Sequence, residues 1–94
     1  MGELIEASEL KEWLKKAPEW DLEKKAIVRV FEFEDFAESM DFVNQVAEIA
    51  EEEDHHPNID IRFNKVELSL STHSAGGLTE LDFEVAERID TLVD

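Results

Sequence analysis

Three segments of this chain carry apolar residues at the spacing of an amphipathic helix, i, i+3, i+4 and i+7. The first spans residues 9–17, between a predicted N-cap at Ser8 and Pro18, which cannot continue a helix. The second spans residues 36–53, with an apolar stripe predicted on Phe36, Met40, Val43, Ala47 and Ala50. The third spans residues 80–93, with a stripe on Leu81, Val85, Ile89 and Leu92.

The segments between these helices alternate apolar and polar residues, as half-buried β-strands do. One hairpin begins near Trp20, turns at residues 24–25 and continues through residues 26–33. A second hairpin has apolar positions 59, 61 and 63, a turn predicted at 64–65, and apolar positions 66, 68 and 70. The order α-β-β-α-β-β-α predicts an α+β fold, in which three helices cover one face of a four-stranded antiparallel sheet.

The length and charge of the chain limit the classes of function that it can have. Its 94 residues predict a single domain, 1–94. With 25 acidic and 9 basic residues, it lacks the clustered cations that nucleic acids and anionic membranes attract. No apolar run reaches the roughly 18 residues of a membrane span, and the acidic start does not resemble a signal peptide. Without cysteine, the chain is expected to be cytoplasmic, and its acidity to reflect solubility or adaptation to salt or heat.

All three histidines fall in two segments, His55-His56-Pro57 and the end of the second hairpin at His73. Imidazole changes charge nearest neutral pH, so clustered imidazoles are suited to acid–base chemistry. If its strand stays regular, His73 points to the uncovered face of the sheet, as Ser69 does. The alternative is a helix-ending loop with two exposed imidazoles and no chemical role.

A run of four acidic residues, 51–54, precedes the histidine pair. Negative charge at a helix C-terminus opposes the macrodipole, so this run calls for an explanation. Glu51 stands one helical turn before His55, and its carboxylate is predicted to contact that imidazole and favour the protonated form. The rest of the run would act at longer range. A solvated acidic helix end explains the pattern equally well.

Other kinds of site find less support in the sequence. Histidines and carboxylates can bind zinc, but their spacing here matches no HExxH motif, so no metal is expected. Ser71 and Ser74 lie near His73 without a nucleophile elbow, which argues against acyl transfer. Asp82 follows Thr79 at capping-box spacing and is expected to cap the third helix.

The combined spacing of these residues is more specific than any single motif. Three residues separate Glu51 from His55-His56-Pro57, five separate that triplet from Phe63, nine separate Phe63 from His73, and eight separate His73 from Asp82. In this pattern the chain resembles the pterin-4a-carbinolamine dehydratases, also known as the dimerization cofactor of a homeodomain transcription factor. The resemblance covers about residues 20–90.

The resemblance implies the fold predicted above and a lyase activity. A hydro-lyase of this family dehydrates a 4a-hydroxytetrahydropterin to quinonoid dihydropterin in tetrahydrobiopterin recycling, with no metal or organic cofactor. His55 and His73 would transfer protons, His56 would place the substrate, and Glu51 would support His55. The remaining expected pocket lining, with Asp82 as a structural neighbour, is Asp54, Pro57, Ser71, Thr72 and Ser74.

Two alternatives stay open from the sequence. The chain can be a non-enzymatic oligomerisation module or bind a protein partner, or it can act on a molybdenum-cofactor-related pterin. The resemblance also implies a homodimer joined through sheet edges, or a homotetramer of such dimers joined through helices. Either assembly would protect strand edges that otherwise invite aggregation.

Overall fold

The computed structural model describes residues 3–94 and contains the predicted elements in the predicted order. The elements are α1 (Ala7–Lys15), β1 (Asp21–Glu23), β2 (Ala26–Glu32), α2 (Phe36–Glu53), β3 (Asn58–Arg62), β4 (Lys65–Leu70) and α3 (Glu80–Asp90). A short 3₁₀ helix, His73–Ala75, lies between β4 and α3. No helix within residues 3–94 combines the length and apolar character needed to cross a bilayer.

The four strands form one antiparallel sheet in the order β1-β2-β4-β3, so β1 and β3 are its edges. In the centre of the sheet Phe31 pairs with Val66, and both side chains are buried. The neighbouring pair, Val30 and Glu67, points to the opposite face, where both side chains are exposed. The prediction that the helices cover only one face of the sheet is therefore confirmed.

The buried face of α2 is rotated by about one residue, or roughly 100°, from the predicted one. Phe42 accounts for this rotation, because its ring centroid lies 4.7 Å from that of Phe31 and 5.0 Å from that of Phe33. The predicted stripe is wrong at Phe36, which is 49% exposed, and at Ala47, which is also exposed. The buried side chains of the helix are Ser39, Phe42, Val46, Ile49 and Ala50.

Three element ends also differ from the prediction. Helix α1 begins after Glu6, so Ser8 lies inside the first turn and is not the N-cap. The β3–β4 turn is formed one residue earlier than predicted, with Phe63 at a φ of 55° and Asn64 donating a hydrogen bond to the Phe33 carbonyl. Helix α3 ends at Asp90, and residues 91–93 form turns.

Asp90 joins the end of α3 to the sheet. Its carboxylate accepts hydrogen bonds from Trp20 Nε1 at 2.9 Å and from Arg29 at 2.5 Å. The Arg29 and Asp90 side chains are only 15% and 17% exposed, so solvent screens this ion pair weakly. The chain also holds a much more exposed ion pair, in which Arg62 donates to Asp60 at 3.1 Å.

Asp90→Asn is expected to lower the free energy of unfolding by about 1–2 kcal/mol, because hydrogen bonds to a charged group are lost from a mostly buried site. Asp60→Asn makes the same chemical change in the exposed pair and should cost less than about 0.5 kcal/mol. Urea denaturation of both variants, at one protein concentration, measures the difference. Equal losses of unfolding free energy in the two variants would contradict the stabilising role given to the Asp90 carboxylate.

Candidate functional site

Helix α2 ends at a residue with left-handed backbone, Asp54, whose φ is 51° and ψ is 43°. Aspartate adopts this conformation more readily than most non-glycine residues, because its short side chain can form local hydrogen bonds. The reversal lets the His55 amide donate to the Ala50 carbonyl at 3.0 Å and leads the chain to the buried Pro57. Asp54 is thus the C-cap of α2, a position that the sequence analysis did not assign to it.

The acidic run at the end of α2 receives its counter-charge from α3. Arg88 donates to Glu52 at 2.5 Å and to Glu53 at 2.9 Å. These hydrogen bonds raise the pKa of Arg88 above its ordinary value. The run therefore has a structural explanation, because two of its carboxylates join α2 to α3.

His55 contacts α3, not the acidic run. Its Nε2 lies 2.5 Å from Asp82 Oδ1, and the two side chains are 12% and 0% exposed. Glu51 pairs instead with His56, whose Nε2 lies 2.6 Å from Glu51 Oε2 at the surface. The predicted Glu51–His55 contact is wrong, because the left-handed backbone of Asp54 turns both histidines away from the path of a continued helix.

Asp82 connects three segments of the chain. Its Oδ2 accepts hydrogen bonds from the Thr79 amide at 2.9 Å and from Thr72 Oγ1 at 2.8 Å, while Oδ1 faces His55. The hydroxyl oxygens of Thr72 and Thr79 are 2.8 Å apart. The predicted capping role of Asp82 is confirmed. The carboxylate also fixes the His55 ring, and the sequence analysis did not predict this contact.

His73 lies in the 3₁₀ helix, because regular pairing of β4 ends at Leu70. An isolated bridge between Thr72 and Gly77 closes the loop around this short helix. The side chain of His73 is exposed and lines a shallow cavity of about 280 Å³ together with Lys25, Ser71, Gly76 and Gly77. The condition for the predicted direction of His73, a strand that stays regular to this residue, is therefore not met, and strand parity does not set where its side chain points.

One carboxylate thus links the two histidine segments. Thr72, immediately before His73, donates to Asp82, and the other oxygen of Asp82 faces His55. The cavity at His73 is not lined by His55 or His56. A larger cavity of about 620 Å³, between α1 and α3, contains no histidine. Within the described part of the chain, no three His, Asp or Glu side chains converge to form a metal site.

This arrangement defines a class of protein: a small α+β domain in which a fully buried carboxylate holds a mostly buried imidazole. The model of a protein family described as pterin 4 alpha carbinolamine dehydratase matches residues 3–92. The chain belongs to this family.

Individual relatives agree with the family match. A protein of Acidobacterium capsulatum, provisionally named a pterin-4-alpha-carbinolamine dehydratase, is 54% identical over 84 residues, which cover 89% of this chain and 91% of the relative. The crystal structure of a transcriptional coactivator/pterin dehydratase from Brucella melitensis has a TM-score of 0.90 at 36% identity, covering 96% and 98% of the two chains. A pterin dehydratase-like RuBisCO assembly factor of the alpha-carboxysome has a TM-score of 0.64 at 26% identity, covering 78% and 84%.

Proposed function

We propose that this protein is a hydro-lyase that dehydrates a 4a-hydroxytetrahydropterin to quinonoid dihydropterin in cytoplasmic pterin recycling. The observation that carries the proposal is the hydrogen-bonded network in which Asp82 fixes His55 and also binds Thr72, the residue before His73. Membership of the pterin carbinolamine dehydratase family supports the substrate class.

The reaction breaks the C4a–O bond of the carbinolamine and forms a C4a=N5 double bond, with loss of water. One group must donate a proton to the departing hydroxyl, and another must accept the proton of N5. A protonated and a neutral imidazole can perform these two transfers, and such general acid–base help contributes roughly 10²–10⁴-fold. The two imidazoles finish with exchanged protonation states, and exchange with solvent restores them.

In this proposal His55 and His73 transfer the protons, and Asp82 positions His55. The surface pair of His56 and Glu51 places the substrate. Glu51 therefore supports His56 and not His55, as the pairing of their side chains indicates. Ser71 contributes to the cavity at His73. The other residues proposed to line or shape the pocket are Asp54, Pro57, Thr72 and Ser74.

The direct test adds purified protein to freshly generated carbinolamine and follows its dehydration. Wild-type protein is expected to exceed the background rate, and His73→Ala to lower kcat/KM by about 10–10²-fold, because one proton-transfer group is lost. Asn44→Ala, at an exposed position of α2, is the control. The enzymatic proposal fails if wild-type protein does not exceed the background and His73→Ala changes nothing. A molybdenum-cofactor-related pterin in the same assay tests the alternative substrate.

A second candidate function is self-association, alone or with a protein partner. The side of α2 that was predicted to be buried remains at the surface, with Phe36 and Ala47 exposed and Met40 and Val43 half-buried. Within residues 3–94, strands β1 and β3 also leave two sheet edges unpaired. We propose that a second copy of this chain covers these surfaces, giving a homodimer or homotetramer, since exposed edges and apolar stripes otherwise favour aggregation.

Light scattering of wild-type protein at micromolar concentration is expected to give the mass of a dimer or tetramer. Phe36→Asp should lower this mass, because it places a charge in the proposed apolar contact. Gln45→Asp, also exposed on α2, should leave it unchanged. A monomeric wild-type protein would rule out the assembly. Co-purification from the source cells, together with the dehydration assay, separates partner binding from catalysis.

A further inference from the structure

The cavity at His73 shares three of its lining residues with a second cavity. The second cavity has a volume of about 270 Å³ and shares the walls formed by Lys25, Gly76 and Gly77. Most of its other walls are aliphatic and come from the N-terminal segment, α1 and β1, with Lys24 at its edge. The pair of cavities therefore has a polar member at His73 and a mainly aliphatic member at α1, with Lys25 lining both.

The β1–β2 turn holds the two lysines at this boundary. Lys24 has a left-handed backbone with a φ of 57°. A Cβ atom added at Gly77 would lie 4.0 Å from Lys25 Cβ and 2.8 Å from Leu4 Cδ1. The lack of a side chain at Gly77 thus allows the Lys25 stem and Leu4 to approach the loop that carries His73. Both lysines are exposed at the surface.

These lysines also lack a carboxylate partner. Within residues 3–94 neither ammonium nitrogen lies within 4.0 Å of a carboxylate oxygen, and the same holds for Lys11, Lys16 and Lys65, whereas Lys15 and the three arginines form ion pairs. The chain has 25 acidic residues and 9 basic ones, so most of its surface repels anions. Lys24 and Lys25 bring two adjacent positive charges next to the proposed site.

We infer that the paired cavity receives a pterin substituent that ends in an anionic group, a phosphate ester or a carboxylate, with Lys25 as its counter-charge. The inference rests on the proposed pterin dehydratase function and narrows its substrate class. The aliphatic cavity accommodates the carbon chain of the substituent, and Lys24 adds a second positive charge at its edge. Lys25 is a specificity-determining residue, since it borders both cavities and takes no part in the proton transfers.

Fluorescence titration with three stable pterins tests this inference. The probes are 6-hydroxymethylpterin and its phosphate monoester, with 6-carboxypterin as the carboxylate arm. Wild-type protein is expected to bind the phosphate monoester about fivefold to tenfold more tightly than the neutral pterin at low salt, and this preference should shrink as ionic strength rises. Lys25→Gln should abolish the preference, whereas Lys11→Gln, on the exposed surface of α1, should retain it.

The outcomes separate this inference from the proposed function. Equal binding of neutral and anionic probes by wild-type protein overturns the inference and leaves pterin binding intact. A preference that survives in Lys25→Gln overturns the role of this lysine. If no pterin binds and the carbinolamine is not dehydrated, the proposed function fails and the inference fails with it. A phosphate preference without a carboxylate preference supports the inference and identifies the phosphate as the preferred anion.

Discussion

Asp82→Asn is expected to lower kcat for carbinolamine dehydration by about 10²-fold and the free energy of unfolding by about 3 kcal/mol. The carboxylate is fully buried and uses both oxygens, one towards His55 and one towards the Thr79 amide and the Thr72 hydroxyl. An asparagine offers only one oxygen, so its amide group must face either the imidazole or the donors at the start of α3. Breaking a buried, charged contact of this kind typically costs about 3–5 kcal/mol.

The measurement combines steady-state kinetics with urea denaturation at one protein concentration. Because Asp82 is proposed to position His55 and not to touch the substrate, kcat should fall more than KM changes. The ring signals of His55 in NMR spectra should also move, which a general loss of stability would not cause in the folded fraction. Asp41→Asn, an exposed aspartate on α2, is the matched control. Unchanged kcat in a folded Asp82→Asn protein would contradict the positioning role.

His55→Gln is expected to lower kcat/KM by about 10²–10³-fold while the protein stays folded. Glutamine can donate a hydrogen bond to Asp82 but cannot exchange a proton near neutral pH, so it separates the chemical role of His55 from its structural one. His55→Ala should lose the same activity and also destabilise the fold, because it leaves the buried carboxylate of Asp82 without one partner. Denaturation midpoints and initial rates of both variants distinguish the chemical role of His55 from its structural role. Wild-type rates in His55→Gln would exclude this residue as a proton donor or acceptor.

The element order was predictable because hydrophobic periodicity, turn residues and caps all report local structure. The rotation of α2 was not, since this helix carries two apolar stripes and only the packing of Phe42 against Phe31 and Phe33 selects between them. The β3–β4 turn was misplaced because Phe63, an unusual residue for a positive φ, occupies it. The sequence pattern thus predicts where the elements lie, but it does not determine which of two neighbouring helix faces or turn positions is used.

The candidate site was predictable in part. Histidine spacing and the resemblance predict His55, His56 and His73 as candidates, but which carboxylate contacts which imidazole depends on the backbone of Asp54. The contact between His55 and Asp82 joins residues 27 positions apart, and local pattern carries no information about it. Its one sequence signal was the place of Asp82 in the combined spacing. The capping role of Asp82 already explains an aspartate at this position, so that role alone gives no indication of the contact with His55.

The amide of Thr79 offers a way to observe the integrity of the site without substrate. Its proton is bonded to the buried Asp82 carboxylate, which also holds the imidazole of His55. Exchange of this proton with deuterated solvent therefore requires an opening that also dismantles the proposed catalytic network. Where Thr79 exchanges only through global unfolding, every folded molecule keeps the hydrogen bond between the Thr79 amide and the Asp82 carboxylate. Where it exchanges faster than global unfolding allows, the additional exchange measures the fraction of folded molecules in which the start of α3 has opened.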